Sequence, residues 1–166
     1  PIDLIEKGEL KLIDIKFEHS SNAISPINVT EDGIDIFSME EHFLKDPSSK
    51  EEGYIEFDFG PENRIEINSY IFKPYIVKSY NTTPKSWKLL GSNDNSIPYK
   101  EWTLIDKKKD YKRRFNTPFL IEKKNDKSNR FRYIRYAQRD TYGLTHQKYY
   151  ISISYFEFFG RIYCRK

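Results

Sequence analysis

Tyr54-Ile55-Glu56-Phe57-Asp58-Phe59-Gly60 sets an apolar side chain at every second position before a glycine. Side chains of an extended chain point alternately to opposite faces, so this spacing predicts a strand with Ile55, Phe57 and Phe59 on a buried face and Glu56 and Asp58 on the other. The pattern recurs upstream, where Ile13, Ile15 and Phe17 alternate with Asp14, Lys16 and Glu18. Downstream, stretches rich in aromatic and β-branched residues predict strands at 65–72, 87–91, 102–105, 115–121, 131–137 and 150–160. Polar or Gly/Pro-bearing breaks separate them, among them Gly60-Pro61-Glu62-Asn63, Ser92-Asn93-Asp94-Asn95-Ser96 and the run 123–129. No segment holds an i, i+3, i+4, i+7 pattern over a helix length. Ser38 and Glu41 match a capping box, but Pro47 limits that stretch to a short turn. The expected fold is all-β, an antiparallel eight-stranded β-sandwich of the jelly-roll kind.

At 166 residues the chain fits a single domain over 1–166, with 1–9 as a mobile lead-in and 163–166 as a tail. An aromatic content of 16% and only 7 glycines exclude disordered and collagen-like classes. Cys164 is the only cysteine, which excludes an internal disulfide and leans toward a reducing, cytoplasmic compartment. The triplets Asn28-Val29-Thr30 and Asn81-Thr82-Thr83 would matter only behind a secretory signal, so localisation stays open. No apolar run reaches membrane-spanning length.

The net charge of +3 hides a segregation of sign. Residues 1–66 carry 17 acidic and 6 basic side chains, whereas 107–139 carry 13 basic ones against Asp110, Glu122 and Asp126. Distant segments of a sandwich can pair across strands, so this segregation reads first as solvated faces and second as a basic binding face. If strands alternate in direction, the connections sort by parity into two ends. Segments 19–54, 73–85, 106–114 and 138–149 fall at one end, and the shorter turns 60–64, 92–101 and 122–130 at the other. Long loops on a rigid sandwich are where binding usually sits.

The run Pro84-Lys85-Ser86-Trp87-Lys88-Leu89-Leu90-Gly91-Ser92-Asn93-Asp94 resembles the coagulation factor V/VIII type C, or discoidin-like, domain family. Trp102-Thr103-Leu104-Ile105-Asp106, Phe131-Arg132-Tyr133-Ile134-Arg135-Tyr136 and 151–160 follow in that family's order, and 54–60 resembles the strand opening its core. The closest look is to intracellular-type members of protist proteins. The resemblance implies a galactose-binding-like jelly roll that takes sugars, phospholipid head groups, peptides or proteins on loops at one end. The first 53 residues depart from it: the secreted members' cystine pair and the Asp-Gly-then-Trp signature of carbohydrate-binding relatives are missing. Those relatives hold a structural calcium near that signature with a carboxylate that Glu157 could match. With half the ligand set missing, no cofactor is expected, and Glu157 reads as paired across strands.

No nucleophile with a base, carboxylate couple or metal spacing stands out, and no catalysis is expected. His19, His42 and His146 lack companions at ligand spacing; Glu40-Glu41 and Glu51-Glu52 point apart on a strand; Cys164 lies in a basic tail beyond the last strand. Trp87 and Trp102 open strands and read as packing residues rather than sugar platforms. Arg132 and Arg135, three apart in one strand, fall on opposite faces, and an inward one needs Asp58 or Glu157. Tyr75, Tyr80, Arg139, Tyr142 and His146, all at the long-loop end, are the candidate ligand contacts. Lys107, Lys108, Lys109, Arg113 and Arg114 form a candidate basic patch in a loop at the same end. The expected role is a non-catalytic interaction module for a protein or peptide. The alternatives are a lectin-like carbohydrate-binding module, and binding of nucleic acid or anionic lipid through the basic patch.

Overall fold

The computed structural model describes residues 16–19, 27–30, 33–36, 53–74, 83–112, 118–121, 129–142 and 153–164. Among them are ten strands: β1 Lys16–His19, β2 Ile27–Thr30, β3 Gly33–Ile36, β4 Gly53–Asp58, β5 Asn63–Pro74, β6 Pro84–Ser92, β7 Thr103–Lys108, β8 Phe119–Leu120, β9 Tyr133–Thr141 and β10 Ile153–Cys164. A 3-10 turn, Tyr99–Glu101, precedes β7. The strands form two five-stranded sheets, β1-β4-β9-β6-β7 and β2-β3-β10-β5-β8. Each pairing is antiparallel. The expected antiparallel β-sandwich is thus what the chain forms.

The expected count of eight is corrected to ten among the described residues by a hairpin inside 19–54, a segment without a predicted strand. Ile27 and Val29, then Ile34 and Ile36, alternate with polar residues, and Thr30 pairs with Gly33. Because the insertion adds two strands, it leaves the direction of all later strands unchanged, and the ends of β5 to β10 sort as expected. The expected turn at 38–44 lies outside the described residues, as do Ile13, Ile15 and the proposed lead-in 1–9. Cys164 is not in a tail; it closes β10 opposite Asn63, exposed.

The inner faces of the two sheets meet in one aromatic core. Phe57, Trp87, Leu89, Ile134 and Tyr136 of the first sheet pack on Tyr70, Phe72, Phe119, Phe156 and Phe158 of the second. Ring centroids of Phe72 and Trp87 lie 5.1 Å apart at 83°, and those of Phe57 and Phe158 5.0 Å apart at 87°, the edge-to-face geometry favoured by aromatic quadrupoles. Trp87 and Trp102 are buried as expected, but neither opens a strand: Trp87 is the fourth residue of β6, and Trp102 caps the 3-10 turn.

One polar chain crosses this core. Trp87 Nε1 donates to Tyr70 Oη at 2.8 Å, Tyr70 Oη donates to Asp106 Oδ2 at 2.7 Å, and Lys108 Nζ donates to Asp106 Oδ1 at 2.8 Å. Burial and then the Asp106 carboxylate push the Tyr70 phenol far above its ordinary 10.0. The folded state thus favours the protonated phenol. Its contribution is complete below the unfolded value and is lost as pH rises beyond it toward the folded one. Unfolding free energy should therefore fall above pH 10.0 more steeply in the wild type than in Tyr70→Phe, by about 1.4 kcal/mol per pH unit. Chemical denaturation at stepped alkaline pH reads the difference in slope, and parallel slopes would contradict it.

β5 changes phase midway. Ile65 and Ile67 are buried at its start, but Tyr70 and Phe72 are buried at its end, so odd positions give way to even ones. The register explains this: Phe159 faces Ser69 and Gly160 faces Ile67, leaving Asn68 as an extra, bulged residue. Its carbonyl is taken up by the amide of Ile121 at 2.9 Å. At the bulge the strands come so close that an added Cβ on Gly160 would lie 1.9 Å from the Glu66 carbonyl oxygen.

Candidate functional site

The two ends of the sandwich are built differently. At the short-turn end, Gly60 adopts φ 87°, and its amide donates to Asp58 Oδ1 at 2.9 Å. Asn93 ties that end to the start of β9, its Nδ2 donating to the Arg130 carbonyl and its Oδ1 accepting from the Arg132 amide, each at 2.9 Å. Such fixed turns leave little adaptable surface.

The outer face of the first sheet, expected to be solvated, is partly clad. Leu90, Trp102 and Tyr133 form a second buried cluster there, with Ile97 and Tyr99 packed against it. Beside it the Arg135 guanidinium lies 4.0 Å from the Tyr54 ring, 4.7 Å from Trp102 and 5.5 Å from Tyr99. It donates from Nε to Glu56 Oε2 at 2.8 Å, and Glu56 is only 3% exposed. Arg132 grips Asp58 through Nε at 2.7 Å and Nη2 at 2.8 Å, a bidentate pair. The expectation that the two arginines face opposite ways is corrected: Arg132 precedes β9 in a bend, so strand alternation does not reach it, and both find acids of β4. These contacts absorb part of the charge segregation, since Glu56, Asp58 and Glu66 meet Arg135, Arg132 and Arg130.

At the long-loop end the situation reverses. A cleft of ≈ 340 Å³ opens where β6, β7 and β9 lie side by side, lined by Ser86, Trp87, Lys88, Lys107, Lys108, Lys109, Asp110, Arg139 and Asp140. Lys88 and Lys107 are direct cross-strand partners. Arg139 comes to the third strand by a bulge: Ser86 pairs with Asp140 and Trp87 with Gln138, so Arg139 is the extra residue between them and is exposed. The two acids of the rim are engaged by Lys85, at 3.3 Å from Asp110 and 3.6 Å from Asp140. The Asp110 hydrogen bond and then the Asp140 charge hold the Lys85 ammonium above the usual lysine range. Lys108 is bound to Asp106.

Of the candidate ligand contacts, Arg139 lines this cleft. It is not in the loop expected over 138–149 but within β9, because pairing with β6 runs on to Thr141. Lys107 and Lys108 are likewise in β7 rather than in a loop, since β6 pairs with them past Ile105; Lys109 follows the strand end. Tyr142 is 36% exposed, but its hydroxyl donates to the Tyr111 carbonyl at 2.9 Å and its amide to the Thr83 carbonyl at 3.0 Å, so it braces two segments. Tyr75, Tyr80, His146, Arg113 and Arg114 lie outside the described residues. The sequence reading missed Lys88, although Trp87 and Leu89 facing inward put it on the outer face. Among the described residues no three His, Cys, Asp or Glu side chains gather as a metal site, and Glu157 sits half-buried opposite Ile71. No described helix is long and apolar enough to cross a membrane.

No protein-family profile and no curated protein matches the chain. Solved structures do. The module CpGH89CBM32-5 from Clostridium perfringens, in complex with GalNAc-β-1,3-galactose, matches at TM-score 0.57 and 12% identity, over 89% of this chain and 96% of that one. The CBM32 of AlyQ in complex with 4,5-unsaturated mannuronic acid matches at 0.53 and 14%, over 87% and 93%. Chitosan-binding module 1 of a chitosanase/glucanase from Paenibacillus sp. IK-5 matches at 0.53 and 15%, over 89% and 96%. The expected likeness to intracellular protist members finds no support in these matches. What the chain shares with the modules is the fold, the galactose-binding-like β-sandwich.

Proposed function

We propose that this chain is a non-catalytic carbohydrate-binding module that takes its glycan at the long-loop end, on and around the cleft between β6, β7 and β9. The observation that carries the reading is the agreement of fold over about nine-tenths of the chain with modules whose names state a saccharide ligand. Fold alone does not fix a ligand, so the geometry has to be compatible with one. An open cleft rimmed by polar side chains on a rigid sheet suits a flexible chain of hydroxylated rings better than a buried small molecule. A protein or peptide partner, the first expectation from sequence, lacks support of that kind.

A glycan array probed with the purified chain tests this. Selective, saturable binding is expected, weakened by about tenfold or more in Arg139→Ala. Incubation with the bound polysaccharide should release no new reducing ends. An array silent at all concentrations would overturn the reading, and release of reducing ends would overturn its non-catalytic part.

A further inference from the structure

We infer that the glycan taken by this cleft is anionic, a saccharide carrying carboxylate or sulfate groups, and that Lys88, Lys107, Lys109 and Arg139 form its anion-binding row. The inference rests on the carbohydrate-binding reading and sharpens it.

The first support is an arrangement that folding alone does not favour. Lys88 and Lys107 stand directly opposite each other on neighbouring strands, a placement in which like charges repel. The second is Arg139, which the bulge in β9 inserts as an extra residue on the strand beyond Lys88, extending the cationic row across three strands. Bulges re-aim side chains, and here the re-aimed side chain is a guanidinium able to grip a carboxylate or sulfate through two parallel hydrogen bonds. The third is the fate of nearby carboxylates. Asp110 and Asp140 are drawn to Lys85, and Asp106 to Lys108 and Tyr70. Lys107, Lys109 and Arg139 are exposed, and their side chains make no ion pair or hydrogen bond with another described residue. Elsewhere on the same sheet the arginines are matched: Arg132 has Asp58 and Arg135 has Glu56. Among the described residues of this sheet, Lys107 and Arg139, with Lys109 just beyond the strand end, therefore bring cations without a carboxylate partner to the cleft, where they raise the local concentration of anions. Neighbouring strands lie about 4.8 Å apart, so the row presents its cations at intervals across the sheet, matching charges repeated along an extended chain better than a single compact anion.

Affinity electrophoresis and calorimetry with matched polysaccharides decide the matter. The pairs are polygalacturonate against its fully methyl-esterified form, and dextran sulfate against dextran, so that each backbone is met with and without charge. At least one charged member should bind about tenfold or more tighter than its neutral partner, with the gap shrinking from about 50 to about 500 mM NaCl. Which charged member binds tells carboxylate from sulfate. The double variant Lys107→Ala/Arg139→Ala should lose most of that gap while keeping the wild-type melting temperature, because both residues are exposed. Equal binding of charged and neutral forms, or an undiminished gap in the double variant, would overturn the inference and leave the carbohydrate-binding reading intact. So would neutral glycans binding on the array while both charged probes fail. Tighter binding of a single-stranded oligonucleotide than of any charged saccharide would overturn it in favour of nucleic acid. A silent array would remove the reading beneath it.

Discussion

Gly160→Ala should destabilise the fold by about 3 kcal/mol, seen as a lower urea midpoint with an unchanged slope. The new methyl carbon would sit 1.9 Å from the Glu66 carbonyl oxygen, 2.9 Å from its carbon and 3.0 Å from the Ile67 Cα. All three atoms are main chain, held by the β5–β10 ladder, so no side chain can swing aside. Relief requires the two longest strands of the second sheet, twelve residues each, to part at their bulge. The same change at Gly91 meets the Phe131 ring at 2.4 Å. A ring can tilt within its pocket, and the loss there should be smaller. Equal stability of Gly160→Ala and wild type would mean that the strands are not packed as described.

Arg135→Met should cost about 3–5 kcal/mol, because it strips the guanidinium from a carboxylate that is already out of water. The Glu56 side chain is 4% exposed and that of Arg135 14%. Methionine can still lie against Tyr54, Tyr99 and Trp102, so lost packing is a minor part and the stranded charge the major one. The double variant Arg135→Met/Glu56→Leu should recover most of the loss, since apolar residues can replace a buried ion pair with little net change. A double-mutant cycle on denaturation free energies measures the coupling. If the double variant is as unstable as the single one, the cost lies in packing and not in charge.

Much of the scaffold was legible because alternation is a direct print of strand geometry. Ile55, Phe57 and Phe59 do face the core, and the motif at 84–94 is β6 with its turn. The basic end was legible through parity, which survived two unforeseen strands because they came as a pair. What escaped reading was set by partners rather than by local sequence. The hairpin at 27–36 is only four residues to a strand, below the length at which alternation stands out from chance. Arg139 reads as a loop residue because Gln138, Arg139 and Asp140 are polar, yet pairing with β6 keeps them in the sheet. Arg132 obeys a bend that nothing in Phe131-Arg132-Tyr133 announces. The clad outer face required a second layer of aromatic residues, drawn from β6, β9 and the turn before β7, that no single stretch reveals.

The extra residue in β5 acts on the chain like a frameshift on a reading frame. Residues before Asn68 address the core on one count and residues after it on the other, so the strand is two half-strands spliced out of phase. Neither Asn68 nor Ser69 is buried, and by composition alone either would pass as freely replaceable. Their number is another matter: with one of them removed, Ile65, Ile67, Tyr70 and Phe72 would fall on a single count and still face the core, but the strand would lose the bulge that hands the Asn68 carbonyl to the amide of Ile121. At this point the extra residue shapes the strand without being what buries its apolar side chains.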